Sequence, residues 1–391
     1  MALPLKGLRV IDLTKDFAGP FCTMILADLG AEVVKIEKPG SGDETRAWGP
    51  PFIDGTSYYF LSLNRGKKSV SLDLKRPEAQ KVIRRLVIDS DILVESNRPG
   101  TMPKFGLDYP KLRRLNHALV YCSISGFGQT GPYRERLGYD IVAFAMSGIM
   151  ATTGEPGRPP MRVSVPVADI AAGHYASTAI LAALSKRLIT GQGDYIDISL
   201  FDSIVSWSTY LAGYYFATGK EPSKMGSAHP SIVPYQAFRC KDKDLIIAVG
   251  NDIQWKSLCN ALGLPNLARD RRFASNPLRV RNRDTLIKIL SKRLRRGTAF
   301  HWHGILVENG IPSTPIYSFL DVSRDRQVSH RKMLIKSRKG GIPQLGSPMR
   351  FLLSFNPSFR EVPRLGQHTK EVLDELGFST TEQSRIRSPN D

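Results

Sequence analysis

Apolar and polar positions along roughly the first half of the chain switch between two periods. Residues 8–13, 31–37, 69–74, 91–95, 119–124 and 195–200 are short runs rich in β-branched and aliphatic side chains, and they read as strands. Between them, residues 21–29, 78–88 and 110–115 carry the spacing of helices. Nearly continuous apolar strands alternating with helices predict a mostly parallel sheet covered on both faces. The expected fold is therefore a doubly wound, Rossmann-like α/β domain. Two longer helical patterns follow at 169–188 and 201–217, then a turn-rich stretch at 219–234. A strand at 245–249 and helices near 253–262 and 284–294 predict a smaller α+β domain. The expected division is a large domain over 1–200, a linker helix over 201–225, a small domain over 226–325, and a linker over 326–391 that returns to the large domain.

Composition narrows the class. With 391 residues and 41% hydrophobic content the chain can bury the cores of two domains. The four cysteines, Cys22, Cys122, Cys240 and Cys259, are far apart and lack CxxC spacing, so they read as free thiols. No apolar run reaches the roughly 18 residues of a membrane span, and the opening residues lead straight into a strand pattern. No targeting segment is seen, so a cytoplasmic protein with no membrane partner is expected.

The net charge of +19 raises nucleic acid, a membrane surface or anionic small molecules as partners. Much of the excess lies at 269–296 and 324–339. Within 284–296, Leu286, Ile289, Leu290 and Leu294 share one helical face, and the basic residues lie mainly off it, as in a solvated amphipathic helix. There is no aromatic-interleaved basic motif and no Cys/His finger, so no nucleic-acid partner is expected. His301 and His303 lack Cys, Asp or Glu at ligand spacing, and no metal is expected. The first strand-helix-strand unit places Glu37 where a ribose ligand would be. Its connection at 15–20 has one glycine rather than G-x-G-x-x-G, so neither a nicotinamide nor a flavin site is read there.

Asp169 follows Pro166 at the head of an apolar helix. Such a carboxylate can cap the helix or meet its dipole. That is the usual role of such a residue, and the functional reading is a nucleophile held ionised by the positive helix end, with Ala171, Ala172 and Gly173 leaving room for a bulky substrate.

The ordered motifs around it point to a family. Residues 4–13, Ala18-Gly19-Pro20, residues 26–37, Gly42-Asp43-Glu44-Thr45-Arg46, residues 64–69, Asn97-Arg98-Pro99-Gly100, residues 125–132, Thr190-Gly191-Gln192-Gly193 and Leu365-Gly366-Gln367-His368-Thr369 resemble, in order, the landmarks of family III (CaiB/BaiF) coenzyme A transferases. Residues 226–238 and 278–283 look most like the branch that moves coenzyme A between succinate and hydroxymethylglutarate, whose members are mitochondrial. The resemblance implies a transferase with coenzyme A as co-substrate and an interlocked homodimer. It makes Asp169 the acyl carrier, which passes through a mixed anhydride and an aspartyl–coenzyme A thioester. Donor and acceptor would be succinyl-coenzyme A or another dicarboxylyl thioester and a dicarboxylate such as glutarate or hydroxymethylglutarate.

The resemblance also places Phe17, Trp48, Tyr59 and Tyr139 in the pocket, with Phe17 standing where some members carry a Gln donor. His229 falls in the stretch that corresponds to a glycine-rich loop over the aspartate. Lys38, Leu72, Lys75, Asn97, Arg98, Lys104 and Arg136 fall at or beside coenzyme A positions, and Arg46 and Arg162 are further cations for a second carboxylate. Two alternatives remain. The family's α-methylacyl-coenzyme A racemases carry a His where this chain has Tyr139, and a phenol is a poor base near neutral pH. A basic binding protein without catalysis is the other.

Overall fold

The computed structural model describes residues 3–336, 342–351 and 360–386 and divides into two compact units. The first unit comprises Met1–Met150, Arg162–Ala217 and His330–Asp391. Among the described residues its centre is a six-stranded parallel sheet. The strands are β1 (Arg9–Leu13), β2 (Glu32–Glu37), β3 (Lys67–Ser71), β4 (Ile92–Glu95), β5 (Val120–Ser125) and β6 (Tyr195–Ser199). Their spatial order is β3-β2-β1-β4-β5-β6, the doubly wound order in which the chain reverses direction beside β1. In this topology ligands bind beyond the carboxyl ends of the strands.

The helices follow from their apolar stripes. Helix α1 (Ala18–Asp28) is buried along nearly its whole length, whereas α3 (Pro77–Ile88) buries only Ala79, Val82, Ile83, Leu86 and Val87, as its stripe dictates. Each buried valine, isoleucine or leucine of this kind contributes about 1.5–3 kcal/mol. Between them lies the short α2 (Tyr58–Leu63). Past β4 and the short α4 (Thr101–Phe105), α5 (Asp140–Met146) leads toward the long α6 (Val167–Thr190). Helix α6 is long and apolar enough to cross a membrane, but half of its apolar window is buried in the core. It packs closely on α1, because a Cβ on Gly173 would lie 2.8 Å from the Ala18 carbonyl oxygen and 2.9 Å from Phe21. Gly173 therefore makes room for α1 rather than for a substrate, which corrects the sequence expectation at that residue.

The helix expected over 201–217 is two helices, α7 (Leu200–Ser206) and α8 (Thr209–Thr218). At the break the Ser206 hydroxyl donates to Ser203 O at 2.7 Å and the Ser208 hydroxyl to Ser147 O at 3.4 Å. Such bonds offer the backbone an alternative to the helical ladder. Thr209 then takes a left-handed backbone, φ +30°.

The second unit comprises Ala151–Met161 and Thr218–Ser329, so it draws in a short segment from before α6. Gly226 N–H donates to Gly154 O at 2.9 Å and ties the two pieces together. Its antiparallel sheet, β9-β8-β7, joins β7 (Tyr235–Arg239), β8 (Asp244–Ala248) and β9 (Ser313–Pro315). Helices α9 (Asp252–Ala261), α10 (Arg283–Leu294) and α11 (Ala299–Glu308) cover it. Helix α10 is the basic helix, with Leu286, Leu290 and Leu294 buried as its pattern requires. Not every cation here is solvated. Arg279 is fully buried, donating to Val233 O at 2.8 Å and Phe273 O at 3.1 Å and pairing with Asp252 at 2.8 Å.

Candidate active site

A cavity of about 320 Å³ opens at the carboxyl end of β1 and β5, within the first unit. Its wall includes Lys15, Asp16, Phe17, Trp48, Tyr59, Tyr139, Asp140, Arg162 and Asp169. The structure thus brings together Asp169, Phe17, Trp48, Tyr59 and Tyr139, which the sequence had scattered over 153 positions between 17 and 169. Trp48 and Tyr59 meet edge to face at 5.2 Å, and Phe17 meets Tyr59 at 6.0 Å and Phe21 at 5.6 Å. Tyr59 thus joins Phe17 and Trp48 into one apolar wall. Such pairs hold their geometry through the ring quadrupoles.

Asp169 lies in the first turn of α6 and is half-buried. The cap of that helix is Asp140, at the start of α5. Its Oδ1 accepts from the backbone N–H of Ala168 at 2.7 Å and of Asp169 at 3.4 Å. With the orphan donors of α6 met in this way, the Asp169 side chain makes no hydrogen bond to the described residues and points its chemistry at the cavity. Burial, reinforced by the nearby charges of Asp140 and Asp16, pushes its carboxyl up to about 8. The helix end therefore does not hold it ionised, contrary to the sequence expectation. Burial is the larger cause, and Asp140, whose carboxylate sits on the helix end, adds to it. The same burial and the Asp169 charge raise the Tyr59 phenol.

A second buried group of charges supports the loop over the cavity. Lys67, fully buried, donates to Asp12 Oδ2 at 3.0 Å, Asn64 Oδ1 at 2.9 Å and Pro20 O at 3.0 Å. Lys35, also fully buried, donates to Thr14 O at 2.8 Å and pairs with Asp43 at 2.8 Å. These two ammonium groups fasten residues 14–20 to the segment that carries Trp48. Although burial alone would raise it, Lys67 and Lys35 hold the Asp12 carboxyl well below the usual range. Asp43 is likewise held down.

Of the residues expected to meet coenzyme A, Lys38 follows β2, Leu72 and Lys75 follow β3, Asn97 and Arg98 follow β4, Lys104 is in α4, and Arg136 lies in the loop after β5. All lie on the ligand side of the sheet. Lys38, Lys75, Arg98, Lys104 and Arg136 are exposed, Asn97 is half-buried, and Leu72 is buried. His229 belongs to the second unit. Its N–H donates to Tyr235 O at 2.9 Å, its Nδ1 accepts from Ser231 N–H at 3.1 Å, and its carbonyl accepts from Arg283 at 2.8 Å. Arg46 is committed elsewhere. It grips Glu37 with two bonds of 2.7 and 2.8 Å and covers the Phe60 ring at 3.7 Å, so it is not a free cation for a substrate carboxylate. Arg162 does line the cavity. Asp16 and Asp140 escaped the sequence reading. No local pattern announces a cap supplied from 28 residues upstream. Asp16 betrays itself only through its left-handed backbone, φ +68°. Among the described residues no group of three His, Cys, Asp or Glu is placed to hold a metal ion.

A doubly wound sheet places a cavity with an unbonded carboxyl at its switch point, where this topology binds ligands. The chain belongs to CoA-transferase family III, whose profile matches residues 5–369. It is 43% identical over 376 residues to a succinyl-CoA:glutarate CoA-transferase of Mus musculus, covering 95% of this chain and 86% of that one. It is 41% identical over 387 residues to a succinate–glutarate CoA-transferase of Agrobacterium fabrum, covering 95% of this chain and 96% of that one. A crystal structure of a CaiB/BaiF family protein from Brucella suis superposes with a TM-score of 0.87 at 42% identity, over 96% of this chain and 100% of that one.

Proposed function

We propose that the protein moves coenzyme A from succinyl-coenzyme A to a dicarboxylate such as glutarate, with Asp169 carrying the acyl group. The observation that carries this is the match, along almost the full length, to enzymes named for that exchange. The cavity supplies the chemistry. Ionised Asp169 attacks the thioester carbonyl, the C–S bond breaks, and a mixed anhydride and coenzyme A thiolate form. The thiolate then attacks the aspartyl carbonyl and releases succinate, leaving an aspartyl–coenzyme A thioester. Glutarate repeats the two steps in reverse.

Hydrolysis of either intermediate would waste the thioester, so water must be kept out, and the Phe17–Tyr59–Trp48 wall serves that end. Arg162 and Lys15 are the cations on the wall of the cavity and would draw an anionic acid toward Asp169. Lys38, Lys75, Asn97, Arg98, Lys104 and Arg136 would hold the coenzyme A phosphates and base, with Leu72 beneath.

The active form is proposed to be a homodimer. Leu188 and Ile189 on α6 are each 87% exposed and Phe216 on α8 is 81% exposed, apolar surface of the kind that a second copy covers. Light scattering at micromolar concentration should give twice the 43.5 kDa of one chain. For the activity, succinyl-coenzyme A is incubated with labelled glutarate. Label should enter glutaryl-coenzyme A with the wild type and not with Asp169→Ala, and undiminished exchange by the variant would refute the role of Asp169.

A further inference from the structure

Asp16 lines the same cavity as Asp169, yet the acyl transfer through Asp169 gives it nothing to do. Three observations set it apart from an ordinary loop residue. Its backbone is left-handed, φ +68°, a conformation that costs a residue with a side chain about 1 kcal/mol or more and that persists only where its surroundings impose it. They do so here: Asp16 N–H is held by Asp43 Oδ1 at 3.4 Å, Asp43 is paired with buried Lys35, and Lys35 also holds the carbonyl of Thr14. Finally, Asp16 Oδ1 is buried with no hydrogen-bond partner, an unmet acceptor at a cavity wall.

Asp140, the other carboxylate on this wall, is already committed to the N-terminus of α6 through the amides of Ala168 and Asp169. Asp16 is the one with a free oxygen. Given that Asp169 is the acyl carrier, on which the inference rests, we infer that Asp16 is its proton partner. The two carboxyls work with one proton between them, Asp169 attacking as the anion while Asp16, neutral, donates a hydrogen bond into the cavity.

In the step this implies, the proton on Asp169 passes to the Asp16 carboxylate, directly or through one water. The charge moves from Asp16 to Asp169, and no other bond changes. Neutral Asp16 then offers its O–H to the oxygen that turns negative as Asp169 adds to the thioester. When Asp169 is regenerated the proton returns. A side-chain donor at this point also replaces what Phe17 cannot supply.

The charged and titratable groups that face Asp16 are Lys15 beside it, Lys35 of β2, Asp43 and Glu44 of the turn after β2, and Tyr59, Tyr139, Asp140, Arg162 and Asp169 across the cavity. Burial, opposed by Lys15 and reinforced by Asp43 and Glu44, lifts the Asp16 carboxyl to about 6, while Asp169 lies at about 8. Below about 6 the pair holds two protons and Asp169 cannot attack, and above about 8 it holds none and the donor is gone.

The test is the pH profile of kcat/KM for succinyl-coenzyme A and glutarate in the wild type, Asp16→Asn and Asp16→Gly. Asparagine and glycine both accept a left-handed backbone, so neither variant is strained at this position. The wild type should give a bell with limbs near 6 and 8. Asp16→Asn, a permanent neutral donor, should lose the alkaline limb and move its acid limb above that of the wild type, to between about 6 and 8, because the proton that must leave is then the one on Asp169 itself. Asp16→Gly should lose about 100-fold in kcat, with the KM for succinyl-coenzyme A unchanged. Wild-type rates and an unaltered bell in both variants would overturn the inference and make Asp16 a turn residue only. Asp169→Ala, run beside them, separates the two claims. If it exchanges normally, the acyl-carrier role itself fails. If it is inactive while both Asp16 variants behave as wild type, only the proton-partner role fails.

Discussion

Two groups of buried carboxyls in the first unit experience opposite electrostatics. In the layer around β1, β2 and β3, Asp12 and Asp43 each face an ammonium group, Lys67 or Lys35, and both stay ionised. In the cavity, Asp16, Asp140 and Asp169 face one another, and all three are raised. Burial acts on both groups in the same direction, so the presence or absence of a partner cation decides the outcome. The paired set fixes the backbone of residues 14–20 and keeps its carboxylates ionised, while burial lowers the Lys67 ammonium to about 8. The unpaired set is costly to bury, and its carboxyls are the ones able to change protonation near neutral pH.

The largest effect expected from breaking this contrast is on catalysis. Asp169→Ala should lower kcat for coenzyme A exchange by about 10⁴-fold or more, measured by transfer to labelled glutarate. Removing a cation from the paired set should instead unfold the protein. Lys67→Met strands the buried Asp12 charge and should cost about 3–5 kcal/mol in urea denaturation. The unpaired set should respond in the opposite sense. The folded-state carboxyl of Asp169 is raised above its unfolded value, so its ionisation destabilises the fold. That penalty is absent below about pH 4, grows as pH rises and is complete above about 8. Asp169→Asn should therefore be more stable than the wild type by about 1–3 kcal/mol at pH 8.5, with no difference at pH 4. Equal stability at both pH values would show that the cavity is wetter than its lining implies. The smallest effects belong to the exposed rim. Alanine at Lys38, Lys75, Arg98 or Lys104 should raise the KM for succinyl-coenzyme A about 3- to 10-fold, leave kcat unchanged, and lose this difference at high salt.

The parallel sheet was largely legible in the sequence, the two groups of carboxyls hardly at all. Within the parallel sheet the strand positions were readable to within about three residues, because a sheet covered on both faces writes its strands as apolar runs, but their spatial order was not. Asp169 could be singled out from the landmarks around it, but its ionisation could not. That depends on Asp140 and Asp16, which are near only in the folded chain. Arg46 illustrates the same limit. An arginine in a glycine-rich segment looked free until Glu37 and Phe60 were placed beside it. The break between α7 and α8 was hidden too, since the serines that divert the backbone also fit a helix.

The central claim, that Asp169 carries the acyl group, is tested most directly by trapping. The protein is incubated with succinyl-coenzyme A alone, quenched with hydroxylamine, digested and read by mass spectrometry. The account predicts a hydroxamate on the peptide containing residue 169, absent without succinyl-coenzyme A and absent in Asp169→Ala. Full exchange activity with no modification at residue 169 would contradict it.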